Sequence, residues 1–189
     1  MWLWRSRRFS DVDEVLAGLL NKSDLPVLDR LDALFLRHDA LVRLKRTDQA
    51  ETCAREALKL AESLQQVAEV GPTEKPLWLA MAYARCGRGN DAVVAMQRYV
   101  DAAPQETHPS IRRFRQGFQA ELHAGMNHPD EACKILAALL RIPNSSPRTR
   151  NRLRVFSVPA LRVDPAWDNL REDPAFKALL ADPKNSAPL

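Results

Sequence analysis

Glycine, cysteine and long apolar runs are scarce in this chain of 189 residues, and each scarcity excludes a class of protein. Six glycines are too few for the many tight turns of a strand-rich domain. Three cysteines, Cys53, Cys86 and Cys133, make no disulfide scaffold and no C-x-x-C pair, so we expect buried free thiols in a reducing compartment. Without a membrane-spanning apolar run or a secretory signal, the cytoplasm is the expected location.

The rest of the composition is that of an ordinary globular protein. Hydrophobic residues make up 46% and charged residues 28% of the chain. The 28 basic and 24 acidic residues give a net charge of only +4, too small to indicate nucleic-acid binding by itself. The length suggests about one domain of roughly 150 residues.

Apolar residues recur with helical period along most of the chain, so we expect helix in more than about 60% of residues, against the usual third. Ser10, Thr47 and Asn90 precede such segments and are predicted N-caps. The β-like run at 155–158 is too short to form a sheet. The predicted helices span residues 11–20, 26–45, 47–67, 76–86, 92–102, 110–124 and 129–141.

An alanine recurs near the start of alternate helices, in a matching polar context each time. Ala50, Ala92 and Ala132 follow Asp-Gln, Asn-Asp and Asp-Glu, at intervals of 42 and 40 residues. A small side chain lets two helix backbones approach at a close crossing. A helix–turn–helix unit repeated with this period predicts an α-solenoid.

The central unit resembles the tetratricopeptide repeat (TPR) family. It carries the family's residue types at the family's spacing: Leu79, Ala80, Tyr83, Gly87, Ala92, Met96, Tyr99 and Pro104. The resemblance covers residues 25–141 and implies an all-α, right-handed superhelix of about three helical pairs, flanked by an N-terminal helix in residues 1–24. The third pair fits the pattern only with a turn one residue longer, which places Phe118 and Leu122 at the apolar positions.

The C-terminal segment is similar to the one that closes TPR regions in bacterial multidomain kinases, nucleotide cyclases and winged-helix regulators. The resemblance implies a helical cap over residues 142–183, followed by a disordered tail, 184–189. Ser146-Pro147, Asp164-Pro165 and Asp173-Pro174 are typical helix starts. The side chains expected to cover the last pair are Leu161, Trp167, Leu170, Phe176, Leu179 and Leu180.

Catalytic motifs are missing from the sequence. Gly87-x-Gly89 lacks the third glycine and the preceding strand of a phosphate-binding loop. The four histidines make no His-Glu-x-x-His motif, so we expect turn or surface histidines rather than metal ligands. We therefore expect a protein that is not an enzyme and binds no cofactor or metal.

The resemblance implies a protein–protein interaction scaffold or sensing module, since the first helices of TPR pairs line the concave face. Carried over by register, the partner-binding residues are Asp39, Arg43, Glu74, Met81, Arg85, Arg113, Gln116 and His123. Two alternatives stay open. One is a regulatory tail of a larger kinase- or cyclase-type protein. The other is nucleic-acid binding through Arg112, Arg113, Arg115, Arg141, Arg148, Arg150, Arg152 and Arg154.

Overall fold

The computed structural model describes residues 2–67, 70–102, 109–141 and 156–185, and this part of the chain is all-helical. Helix accounts for 79% of it and strand for none, which confirms the expected all-α class, whereas the solenoid stays a prediction. The chain divides into two compact units, Met1–Tyr99 and Val100–Leu189. The α-helices are α1 (Trp2–Arg5), α2 (Phe9–Leu20), α3 (Val27–Arg43), α4 (Thr47–Ser63), α5 (Lys75–Arg85), α6 (Gly89–Asp101), α7 (Pro109–Gly125), α8 (Pro129–Leu140), α9 (Val158–Val163) and α10 (Pro174–Ala181). The 3₁₀ helices are Leu64–Gln66, Pro165–Leu170 and Pro183–Asn185.

Four turns of three residues share one backbone geometry and link α1 to α2, α3 to α4, α5 to α6 and α7 to α8. In the second turn the N–H of Lys45 donates to the carbonyl of Val42 (3.0 Å) and the N–H of Arg46 to that of Leu41 (2.9 Å). This pair of hydrogen bonds is the Schellman motif, which requires a left-handed central residue. The four central residues have positive φ and recur at intervals of 38, 42 and 40: Arg7, Lys45, Gly87 and Asn127. We call the helices before these turns first helices and those after them second helices.

The shared turn corrects two sequence predictions. The N-cap positions of α2 and α4 belong to Arg8 and Arg46, because the residue after the left-handed one must start the next helix. The predicted caps Ser10, Thr47 and Asn90 lie inside the first turns of α2, α4 and α6. The third pair needs no longer turn, since Met126-Asn127-His128 has the same length and hydrogen bonds as the others.

In the first unit, α2 to α5 pack in succession around an apolar core. Small residues of α4 are buried in this unit, and Ala50 is only 2% exposed. Ala92 and Ala132, its counterparts in α6 and α8, are fully buried, as the alanine pattern predicted. The core residues are Leu31, Leu34, Phe35, Leu41, Ala50, Cys53, Ala57, Ala61, Leu64, Val70 and Ala82.

In the second unit, the C-terminal segment packs on α7 and α8. Phe176 and Leu170 are fully buried in one cluster with Leu136 of α8, and Leu161, Trp167 and Leu179 belong to the same cluster. Leu180 is partly buried against it. This is the covering of the last pair that the sequence predicted.

Asp-Pro dipeptides start two of the short C-terminal helices. The carboxylate of Asp164 accepts a hydrogen bond from the N–H of Ala166 (3.0 Å), and that of Asp173 from the N–H of Ala175 (2.8 Å). Both predicted caps are therefore present, whereas Ser146-Pro147 lies outside the described residues. Two residues of the predicted tail are ordered, since Lys184 belongs to a 3₁₀ helix and the buried Asn185 donates to the carbonyl of Leu179 (2.9 Å); residues 186–189 lie outside the described ranges.

No helix in the described ranges is long and apolar enough to cross a membrane.

Candidate functional site

An ion pair joins two consecutive first helices of the first unit. Nη2 of Arg85 on α5 lies 2.6 Å from Oδ2 of Asp39 on α3, and Nε lies 3.0 Å from Oδ1. Two parallel hydrogen bonds from one guanidinium fix both its distance and its orientation. Two residues that the sequence assigned to the partner-binding surface are therefore neighbours, although 46 residues separate them.

Aromatic rings lie directly beneath this ion pair. The guanidinium of Arg85 is 4.6 Å from the centre of the Phe35 ring, and Phe35 stacks on Trp78 at 6.2 Å. Arg85 also donates from Nη1 to the carbonyl of Met81 (3.0 Å). The arginine is thereby held on three sides, and the half-buried Trp78 and Met81 continue the surface along α5. We call Phe35, Asp39, Trp78, Met81 and Arg85 the α3–α5 surface.

The Asp39 carboxylate is strongly stabilised in its charged form. Burial by itself would raise its pKa, but Arg85 and a hydrogen bond from His38 lower the pKa to about 2. Nδ1 of His38 lies 2.9 Å from Oδ1 of Asp39. Asp39 is therefore charged throughout the physiological pH range, and its side chain keeps 31% of its surface exposed.

Two further residues of the first unit lie apart from this cluster. Arg43 is at the end of α3, with its guanidinium 6.0 Å from the centre of the Phe9 ring of α2. Glu74 is the exposed residue that precedes α5. Both positions follow the register of the first helices.

The other three predicted residues lie on α7 in the second unit. Arg113 donates to the carbonyl of Phe156 (3.4 Å), and burial lowers its pKa. Gln116 is half-buried. His123 is only 8% exposed, and the fourth turn places it at the position that Tyr83 has in α5. Its side chain therefore presents little surface to a partner.

His123 is a buried base at the end of α7. Burial lowers its pKa; the nearby Glu131 raises it, and His128 lowers it further. Its Nδ1 has no hydrogen-bond partner in the described structure, and its ring centre lies 5.8 Å from that of His128. The neutral form is the one that this site favours.

A second ion-pair cluster was not predicted from the sequence. Asp13 of α2 is only 8% exposed; its Oδ1 accepts from Arg37 of α3 (2.8 Å) and its Oδ2 from Arg46 of the following turn (3.0 Å). Scattered charges were its only signal in the sequence, since 24 and 33 residues separate these partners. The cluster fixes α2 against the next pair.

Half of the eight arginines considered for nucleic-acid binding lie outside the described residues, namely Arg148, Arg150, Arg152 and Arg154. Of the remainder, Arg112 and Arg141 are exposed and Arg115 is buried.

Side chains able to bind metal are dispersed over the described part of the chain. No three His, Cys, Asp or Glu residues converge there. All three cysteines are free, and burial raises the pKa of each thiol, that of Cys133 to about 11. They are therefore thiols rather than thiolates at neutral pH.

Comparison of the chain with protein-family models, with curated proteins and with solved structures finds no match. The resemblance of residues 79–104 to a TPR unit therefore stays a prediction.

Proposed function

We propose that this chain is a protein-interaction module built from TPR-like helical pairs, a scaffold or sensor that binds a protein or peptide partner along its first helices. The observation that carries the proposal is the α3–α5 surface. Two first helices contact each other there, and the Asp39–Arg85 ion pair joins their side chains.

The patch has the composition that peptide recognition needs. Half-buried Trp78 and Met81 supply apolar contact, and aromatic residues and methionine are enriched in protein interfaces. The carboxylate of Asp39 keeps enough exposure to accept a hydrogen bond from a ligand. Because Arg85 is already held by Asp39 and Phe35, it orients that carboxylate in advance and reduces the ordering cost of binding.

Site-specific photocrosslinking tests this proposal. Benzoylphenylalanine replaces Met81 of the α3–α5 surface in one variant and Val94, 53% exposed on the second helix α6, in another. Both proteins are expressed in the source cells and irradiated, and adducts are identified by mass spectrometry. We expect one protein adduct at Met81 that is absent at Val94.

Two results would contradict this function. One is the same set of adducts at both positions, which would mean that the α3–α5 surface has no preferred partner. The other is single-stranded RNA or DNA bound more tightly than about micromolar at physiological salt, the strong end of sequence-independent affinity. If charge-reversing substitutions of Arg148, Arg150, Arg152 and Arg154 abolished that binding, the nucleic-acid function would be favoured.

A further inference from the structure

Helix α2 is less covered than the other second helices at equivalent positions. Counted from the positive-φ residue of each turn, positions eight, nine and twelve of α2 are Val15, Leu16 and Leu19. Val15 is 59% exposed, and Leu16 and Leu19 are only partly buried. The corresponding residues of α4, α6 and α8 are all buried except the partly buried Ile135: Cys53, Ala54, Ala57, Ala95, Met96, Tyr99, Ile135, Leu136 and Leu139.

The difference follows from the length of the first helices. α3 and α7 have 17 residues each and α5 has 11, whereas α1 has 4. α3 and α7 pack along the α-helices that follow them. α1 contacts α2 but is too short, at about 1.5 Å per residue, to reach along it. The α2 side toward α3 is covered, since Asp13 pairs there with Arg37.

Two residues beside the exposed side chains add to this surface. Gly18 follows Val15 by three residues, and a Cβ there would meet no atom within 4 Å, so another backbone can approach closely. Glu14, one turn before Gly18, is exposed, and no described residue pairs with it. We call Glu14, Val15, Leu16, Gly18 and Leu19 the α2 strip.

We propose that the α2 strip binds an amphipathic α-helix of a protein partner. The helix lies antiparallel to α2, in continuation of the contact between α1 and α2. Within this chain, α4 and α8 are each covered by a helix in the same way, namely by α3 and α7. The proposal is independent of the function of the α3–α5 surface.

The pair α7–α8 indicates the chemistry of the partner helix. Ile135, Leu136 and Leu139 of α8 are similar in size to the three apolar residues of the α2 strip. They pack in one cluster with Ala120 and Ala124 of α7. The partner helix should therefore carry small apolar residues on one face, with Lys or Arg beside Glu14 to complement its free carboxylate.

A peptide with the sequence of residues 109–125, the α7 sequence, is a probe of this type. It has small residues on its packing face and three arginines: Arg112, Arg113 and Arg115. The fluorescein-labelled peptide is titrated with the full chain and followed by fluorescence anisotropy. We expect saturable binding that Val15→Asp weakens by about tenfold or more, because a carboxylate would be buried against an apolar face.

Val94→Asp is the matched control, since Val94 is 53% exposed on α6 and lies outside the α2 strip. We expect it to leave peptide affinity within about twofold of wild type. Lack of saturable binding, or equal affinity of the two variants, would overturn the proposal; the second result would mean that the peptide exchanges with α7. A wild-type dimer in sedimentation equilibrium that Val15→Asp dissociates would assign the α2 strip to a second copy of this chain and would also overturn it.

Discussion

The ring of Phe156 packs directly on the backbone of α7 at Gly117. A Cβ at this position would lie 2.2 Å from Cζ and 2.7 Å from Cε2 of the ring, well inside van der Waals contact. Phe156 is 5% exposed and belongs to the core of the second unit, so its ring has little room to move. A glycine in the interior of this helix is thus a packing requirement.

Gly117→Ala should lower the free energy of unfolding by about 1–3 kcal/mol, the usual cost of overpacking a core. This loss exceeds the roughly 0.5–1 kcal/mol that alanine gains over glycine in a helix. Gly125→Ala, at the end of the same helix with no atom within 4 Å of the added Cβ, is the control and should not destabilise. Urea denaturation followed by circular dichroism measures both. If the two variants are equally stable, Phe156 does not occupy this site.

The Asp39–Arg85 ion pair should contribute to the stability of the first unit. Arg85→Glu places two carboxylates together and should cost about 1–3 kcal/mol, between the values for exposed and fully buried pairs. Asp39→Arg should cost a similar amount. The double variant restores opposite charges, so it should recover at least half of the summed loss in a urea-denaturation cycle. Strict additivity of the two changes would mean that the pair does not form in solution.

Acid should weaken the same pair in a defined pH range. The pKa of Asp39 is lowered from 3.8 to about 2 in the folded state, so the unfolded chain takes up a proton first as pH falls. The stabilisation is complete above about pH 4 and is lost as pH approaches 2. The difference in unfolding free energy between wild type and Asp39→Asn should therefore shrink between pH 5 and pH 2.5. A constant difference would contradict the lowered pKa.

The periodicity of apolar residues predicted the helices of the described fold well, because each long helix buries one side and its apolar residues recur with the helical period. Helix limits were less accurate at Ser10, Thr47 and Asn90. N-cap preference is a weak local effect, and the Schellman turns outweighed it by fixing the chain around Arg7 and Lys45. A positive φ at arginine or lysine carries no sequence signal, since these residues rarely adopt it.

The candidate site was predictable only in part. Register placed Asp39 and Arg85 on corresponding faces of their helices, and the structure brings them together. The register could not show that Asp39 and Arg85 form an ion pair, because this depends on how far each side chain reaches between α3 and α5. The same holds for Asp13, whose partners come from a helix and a turn far away in sequence. His123 differs from the expectation because the fourth turn, between α7 and α8, is not elongated.

Protonation of His123 should destabilise the second unit. Burial lowers its pKa in the folded state, whereas the unfolded chain has the ordinary value of 6.5. The unfolded state therefore binds the proton more readily, and stability falls as pH drops below about 6.5. His123→Gln should reduce the fall in melting temperature between pH 7.5 and pH 5. His128→Gln, at an exposed position, is the control and should retain most of it. The same pH dependence in wild type and His123→Gln would contradict this assignment.

The positions of the recurring alanine should tolerate no larger side chain. Ala132 is fully buried in the core of the second unit with Leu136, and it is the fifth residue after the positive-φ Asn127, as Ala50 and Ala92 are after their turns. Leucine at position 132 must separate α7 from α8 or distort the core, at a cost of about 1–3 kcal/mol. Ala138 lies on the exposed side of the same helix, so Ala138→Leu keeps helix length and propensity and should change stability by less than about 0.5 kcal/mol. Thermal and urea denaturation of the two variants measure the difference. Equal stability would mean that position 132 is not at a close helix crossing and that the alanine repeat has no role in packing.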